Sequence, residues 1–216
     1  MVHDLISFSL LSFSSLIIVV NPIGAMLMYQ AITEMMDSQS KRRVIAYACQ
    51  LSVVVLFFFT IAGSFLLQLF GITIDAFTIA GGILLFGIGV EMVYAKTSRT
   101  KMTATEKYES IEAEDISSMP LAFPMIAGPG SITTVIVLSH NTGVMEPVMI
   151  LVILISILVT ILLTYIILRF SDPITARIGQ REYRVINRLM GIMLMAIAVQ
   201  FIINGISSTF PGLAGT

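Results

Sequence analysis

Charge is missing from long stretches of this chain, and nothing else in the sequence constrains its fold as strongly. No Asp, Glu, Lys or Arg occurs in residues 5–33, 44–74, 116–139, 147–168 or 189–216. A sixth run, 76–90, continues past Glu91 to Ala95. A helix crossing the hydrocarbon core of a bilayer needs roughly 20 predominantly apolar residues, and each run supplies a span if Glu91 is counted inside the third in chain order. Strands with open edges at membrane depth would leave backbone groups unpaired, which favours helices. Composition agrees, with 56% hydrophobic and 12% charged residues, against about 25% charged in soluble domains. The expectation is an all-α membrane protein of six transmembrane helices forming a single domain, 1–216.

The basic residues fix the topology. Lys41, Arg42 and Arg43 fall in loop 1, Lys96, Arg99, Lys101 and Lys107 in loop 3, and Arg169, Arg177, Arg181, Arg184 and Arg188 in loop 5. These are all 12 Lys and Arg residues of the chain. Lys and Arg favour the cytoplasmic side of short loops, so loops 1, 3 and 5 are predicted to be cytoplasmic and both termini outside. Loop 3 also carries five acids and reads as a solvated linker over 96–117. The start of the chain has no basic n-region or small-residue cleavage site, so span 1 is expected to stay as an anchor. A net charge of −1 gives no case for nucleic acid as a partner. The single cysteine, Cys49, excludes an intramolecular disulfide and a multi-cysteine metal site.

Self-comparison reveals a repeat. "GILLFGIGVE", residues 82 to 91, matches "GIMLMAIAVQ", residues 191 to 200, at five of ten positions with an offset of 109. "VVNPIGAMLMYQ", from residue 19, aligns with "MIAGPGSITTVIV", from residue 125, so that Pro22 pairs with Pro129 at an offset of 107. Repeat 1 covers about 1–95 and repeat 2 about 118–216. Three spans per repeat is an odd number, so the second copy enters the membrane upside down. Inverted repeats of this kind are a transporter architecture.

Pro22 and Pro129 each remove a backbone N–H and clash with the carbonyl one turn back. Spans 1 and 4 should therefore be broken helices. Freed backbone groups in lipid need protein or water partners, which turns the breaks toward the interior. A helix restarting after a break aims unpaired N–H groups and its positive dipole end at the membrane centre. The candidate substrate-binding residues are Asn21, Pro22, Ile23, Gly24 and Ala25 in the first break. In the second they are Gly128, Pro129, Gly130, Ser131, Thr133 and Thr134. The donors would be the N–H groups of residues 23–25 and 130–132, with the Asn21 amide and the Ser and Thr hydroxyls beside them. No cationic side chain lies near either break, which suits a small net-neutral ligand bearing a carboxylate. A packing kink is the plainer alternative for any one such motif.

The remaining polar groups carry less. Glu91 is the candidate for a coupling ion, with Gln200 its repeat partner, although pairing with Lys96 or Arg99 is an equal use for it. Gln50, Thr60, Ser64, Thr160 and Thr164 are expected to hydrogen-bond between helices. The small residues Gly82, Gly89, Gly191 and Ala198 read as close helix contacts. His3 and His140 are expected near the outer surface, where two separated histidines make a poor metal site, and no cofactor motif or enzyme signature is present.

"NPIG", "AGGILLFGIG", "PLAFPMIAGPGSIT" and "GIMLMAIAVQFIINGI" together resemble the MarC family, also called the small neutral amino acid transporter (SnatA-type) family. The resemblance covers nearly the whole chain. It implies a plasma-membrane or inner-membrane protein carrying glycine, alanine and similar amino acids with a proton or cation. It extends residue by residue to Asn21, Pro22, Gly24, Gly81, Gly82, Gly128, Pro129, Gly130, Thr133 and Thr134. A second proline often follows the first motif in that family; here the region reads "AMLMYQAIT". The function expected is secondary active transport of small neutral amino acids, coupled to H+ or Na+. The alternatives are export of another small solute on the same fold and a non-transporting membrane scaffold.

Overall fold

A computed structural model describes residues 2–33, 36–94, 117–140, 146–177 and 180–210. Every regular element among them is helical. In chain order these are α1 (Val2–Val20), α2 (Pro22–Thr33), α3 (Ser38–Leu69), α4 (Ile74–Tyr94), a π-helix (Ser117–Ile126), α5 (Pro129–His140), α6 (Glu146–Arg169), α7 (Ser171–Arg177) and α8 (Gln180–Thr209). Among the described residues, five stretches are long and apolar enough to cross a membrane: Leu5–Gln30, Ser38–Leu69, Ile74–Tyr94, Pro147–Arg169 and Arg188–Thr209. The remaining uncharged run, 116–139, is divided between the π-helix and α5, each too short to cross alone. The charged part of loop 3 lies outside the described residues.

The helix ends follow from local chemistry. Asp37 caps α3, its carboxylate accepting from the N–H groups of Gln39 at 2.9 Å and Ser40 at 3.2 Å. Gly71 ends α3 in the left-handed region, φ 68°. There the Ile72 N–H donates to Leu67 O at 2.9 Å and the Gly71 N–H to Gln68 O at 3.0 Å, the paired bonds of a glycine-terminated helix. Thr73 Oγ1 then accepts from Ala76 N–H at 3.2 Å and opens α4. Four residues thus turn the chain back with its helix-end groups satisfied.

Large apolar side chains cover the outside. Phe58, Ile61, Phe65, Leu151 and Leu162 are all more than half exposed. Water would penalise that surface, and a bilayer would not. With its repeated apolar spans, the chain is an integral, multi-pass membrane protein.

Packing divides the interior in two. The main core joins α1, α2, α3, the π-helix, α5 and α6 around Leu16, Leu56, Leu121, Val135 and Ile157. A smaller cluster joins α4 to α8 around Leu85, Leu194 and Ala198. Close backbone approach binds α4 to α8. Gly82 faces Ala198 O, Gly89 faces Gly191 O, and Gly205 faces Asp75 O. Rising numbers on one helix meet falling numbers on the other, so the pair is antiparallel. Gly82, Gly89, Gly191 and Ala198 are the close-contact residues that the sequence suggested.

Most of the helix contacts respect the repeat, the contact of α4 with α5 being an exception. The π-helix and α5 pack on α3, as α1 and α2 pack on α6. α1 meets α5 as α2 meets the π-helix, while α3 pairs with α6 and α4 with α8.

One expectation is corrected. Thr60 and Thr164 do not bond between helices. Their hydroxyls donate to Leu56 O at 2.7 Å and Thr160 O at 2.8 Å, one turn back on their own helices. A threonine in a helix always has that carbonyl within reach, so no neighbour is required. The Thr160 hydroxyl has no hydrogen-bond partner among the described residues. Gln50 is exposed.

Candidate functional site: two crossed helix breaks

Both predicted breaks are present, and they are built differently. At the first, Asn21 adopts a left-handed backbone, φ 48°, a region that asparagine tolerates better than most residues. Its N–H closes α1 onto Ile17 O at 3.2 Å, and its carbonyl opens α2 by accepting from Ala25 N–H at 3.0 Å. Pro22 occupies the first helical position, where its missing N–H costs nothing. Asn21 Oδ1 accepts from Gly24 N–H at 3.1 Å, the usual service of an N-cap side chain. Asn21 Nδ2 points to Met92 Sδ at 3.7 Å.

At the second break the π-helix ends at Ile126, and the Ala127 N–H reaches five residues back to Ala122 O at 2.8 Å. Gly128 O accepts from Ile132 N–H at 3.0 Å and starts α5 with Pro129 in its first position. The Ser131 hydroxyl turns back across the break to Ile126 O at 2.8 Å. The Thr133 and Thr134 hydroxyls donate to Pro129 O and Gly130 O, each at 2.9 Å. Their oxygens keep lone pairs for an incoming donor.

The fold brings the two breaks together crosswise. A methyl group placed on Gly24 would stand 3.2 Å from Met125 Cε, and one on Gly130 would stand 3.3 Å from Val19 Cγ1. The residue after each break thus faces the segment before the other. α4 closes a third side: Gly81 lies against Thr133, and Leu85 against Gly130. Asn21, Pro22, Gly24, Ala25, Gly128, Gly130, Ser131, Thr133 and Thr134 are buried, while Ile23 and Pro129 are partly exposed.

Of the six N–H groups expected to serve as donors, three are already engaged. Gly24 gives its proton to Asn21 Oδ1, Ala25 to Asn21 O and Ile132 to Gly128 O. Those of Ile23, Gly130 and Ser131 have no acceptor among the described residues. Among the residues whose side chains are described, no Lys, Arg, Asp, Glu or His is buried, and the side chains that meet the break glycines are Asn21, Met125, Leu85 and Val19.

Glu91 and Gln200 are not drawn into this region. Both are exposed, and Gln200 Nε2 donates to Asn204 Oδ1 at 2.7 Å. Sequence reasoning missed the backbone role of Asn21, the thioether of Met92 opposite its amide, and the π-helix. Pro120 and Pro124, four residues apart in "PLAFP", were the available signal, since each deletes one α-helical donor.

Comparison with known proteins agrees with this architecture. The family profile described as MarC family integral membrane protein matches residues 6–210. A UPF0056 membrane protein of Methanocaldococcus jannaschii is 36% identical over 213 residues, covering 98% of this chain and 92% of the relative. The UPF0056 membrane protein YvbG of Bacillus subtilis is 36% identical over 209 residues, covering 96% and 98%. The UPF0056 membrane protein YhcE of Escherichia coli is 33% identical over 208 residues, covering 93% of each. No solved structure matches the chain. The crossed, proline-opened helices thus lie within the residues that carry one family's pattern, and the chain belongs to the MarC family of integral membrane proteins.

Proposed function

We propose that this protein is a secondary active transporter of small neutral amino acids, such as glycine, alanine or serine, in the plasma or inner membrane. One observation carries the reading: two restarted helices cross in a buried region whose described side chains carry no charge, and three of their N–H groups have no acceptor among the described residues. An α-amino acid is a zwitterion with no net charge, so a site without charged side chains suits it. Its carboxylate would be held by the N–H groups of Ile23, Gly130 and Ser131 at the positive helix ends. Its ammonium would be held by Asn21 Oδ1 and the hydroxyl oxygens of Thr133 and Thr134. Val19, Leu85 and Met125 wall the region and favour a small side chain.

Alternating access would come from two near-equivalent arrangements of the inverted repeats, with both termini outside and loops 1, 3 and 5 in the cytoplasm. Transport would be driven by a proton or sodium gradient. Glu91, next in sequence to the Met92 that meets Asn21, is the carboxylate to test for coupling.

Uptake of labelled glycine into proteoliposomes under an imposed gradient tests this reading. Thr133→Val and Asn21→Ala should each reduce uptake at least tenfold, about the loss of one charge-assisted hydrogen bond. Wild-type rates in both variants would remove the site. Absence of saturable uptake of any small amino acid by the wild type would remove the function.

A further inference from the structure

The outer face of α8 carries polar chemistry that a lipid surface has no use for. Gly191, Leu194, Ala198 and Gly205 form the buried side of this helix. At 3.6 residues per turn, the side diametrically opposite holds Ala196, Gln200 and Ile203, all exposed. Asn204 lies beside them, also exposed. Gln200 falls near the middle of the Arg188–Thr209 span, at the depth where water is scarcest. The flanking Met193, Val199 and Ile203 are apolar and exposed.

The Gln200 and Asn204 amides share one hydrogen bond of 2.7 Å. That leaves Gln200 Oε1, the second Nε2 proton and both Nδ2 protons of Asn204 to be matched. Hydrocarbon offers neither donor nor acceptor, and the carbonyls of α8 are occupied within the helix. We propose that this face is the contact through which a second copy of the same chain docks in the membrane, α8 against α8. A two-fold axis normal to the bilayer sets Gln200 and Asn204 of both copies at the same depth. Each amide is donor and acceptor at once, so the patch is its own complement, as an isologous contact requires. Ala196, one turn before Gln200, lets the backbones approach, and interhelical amide bonds then hold them. The outer face of α4 makes a natural control. A methyl group on Gly87 there meets nothing within 4 Å, and that face has no such amide pair.

The experiment follows the full-length protein in lipid bilayers at falling protein-to-lipid ratio, reading dimer fraction by single-molecule photobleaching. A concentration-dependent dimer is expected for the wild type. The Gln200→Leu/Asn204→Leu double variant should weaken dimerisation roughly tenfold, and Gly87→Leu should leave it unchanged. In a Cys49→Ala background, Ala196→Cys should cross-link under copper-phenanthroline while Gly87→Cys does not. A wild type that stays monomeric at every ratio overturns the proposal. So does a dimer indifferent to the double variant, or one that Gly87→Leu disrupts.

Discussion

Asn21 performs two local tasks before any ligand is considered, and they can be separated. Its left-handed backbone turns the chain, and its side chain caps α2. Asn21→Gly keeps the turn and loses the cap; replacing a capping side chain by glycine costs only a few tenths of a kcal/mol. Asn21→Ala loses both, at about 1 kcal/mol for the cap and about 1 kcal/mol for the left-handed alanine. Thermal melting in detergent should therefore rank wild type above Gly and Gly above Ala. Glycine uptake should fall in both variants alike if the amide also holds substrate. Activity that tracks stability down the series would reduce Asn21 to a capping residue. This division was only half legible in the sequence. "NPIG" announced a break, because proline chemistry is local. The capping role of Asn21 was not legible, because nothing in a linear sequence says that Gly24 N–H will take one lone pair of its oxygen. Likewise, Gly81 and Thr133 are 52 positions apart in the chain, and only the fold presses one against the other.

At the scale of the element, the ends of α3 were written in short-range chemistry and the π-helix was not. Asp37 caps α3 with a fully exposed carboxylate whose pKa lies below the ordinary value. The hydrogen bond from the Ser40 side chain is the largest cause, and the backbone N–H groups of Ser40 and Gln39 add to it. A depressed carboxylate pKa contributes stability that is complete above its unfolded pKa and disappears as pH falls through the folded one. The first turn of α3 should accordingly fray in acid. Hydrogen exchange at the Gln39 and Ser40 amides should accelerate, beyond the intrinsic pH trend, as the solution is taken below the carboxylate range. Asp37→Asn keeps an acceptor and should remove most of that excess. Pro120 and Pro124 weaken an α-helix without naming its replacement. The five-residue spacing continues to the Ala127 N–H on Ala122 O; the sequence predicted a broken span 4 but not the wide turn leading into it.

On the scale of the whole molecule, six uncharged runs and the one-sided basic residues anticipated a helical membrane protein, and the described helices have that character. Sidedness is open to direct measurement. The Tyr29 hydroxyl donates to Lys41 O at 3.3 Å, and α2 also packs on α7, so loop 1 and the Ser171–Arg177 helix share one end of the bundle. In a Cys49→Ala background, Arg42→Cys should react with an impermeant maleimide only from the cytoplasmic side. Phe70→Cys, at the turn between α3 and α4, should react only from outside. The reverse pattern would invert the topology.

The division of the interior makes a prediction of its own. α4 and α8 share a small cluster and touch the main core through few side chains, among them Gly81 against Thr133 and Leu85 against Gly130. Their mutual attachment depends on backbones in contact: a methyl group on Gly82 would stand 2.7 Å from Ala198 O. A backbone oxygen cannot rotate away, so Gly82→Ala must part the helices. Overpacking of this kind costs about 1–3 kcal/mol. Gly87→Ala on the same helix meets open space and should be neutral, or stabilising by up to about 1 kcal/mol through the unfolded chain. Thermal melting of the pair checks the difference. If the α4–α8 unit also moves as one body during transport, Gly82→Ala should slow uptake beyond its loss of folded protein, whereas Gly87→Ala should not. Equal melting temperatures for the two variants would mean that the close approach of α4 and α8 does not hold this part of the molecule together.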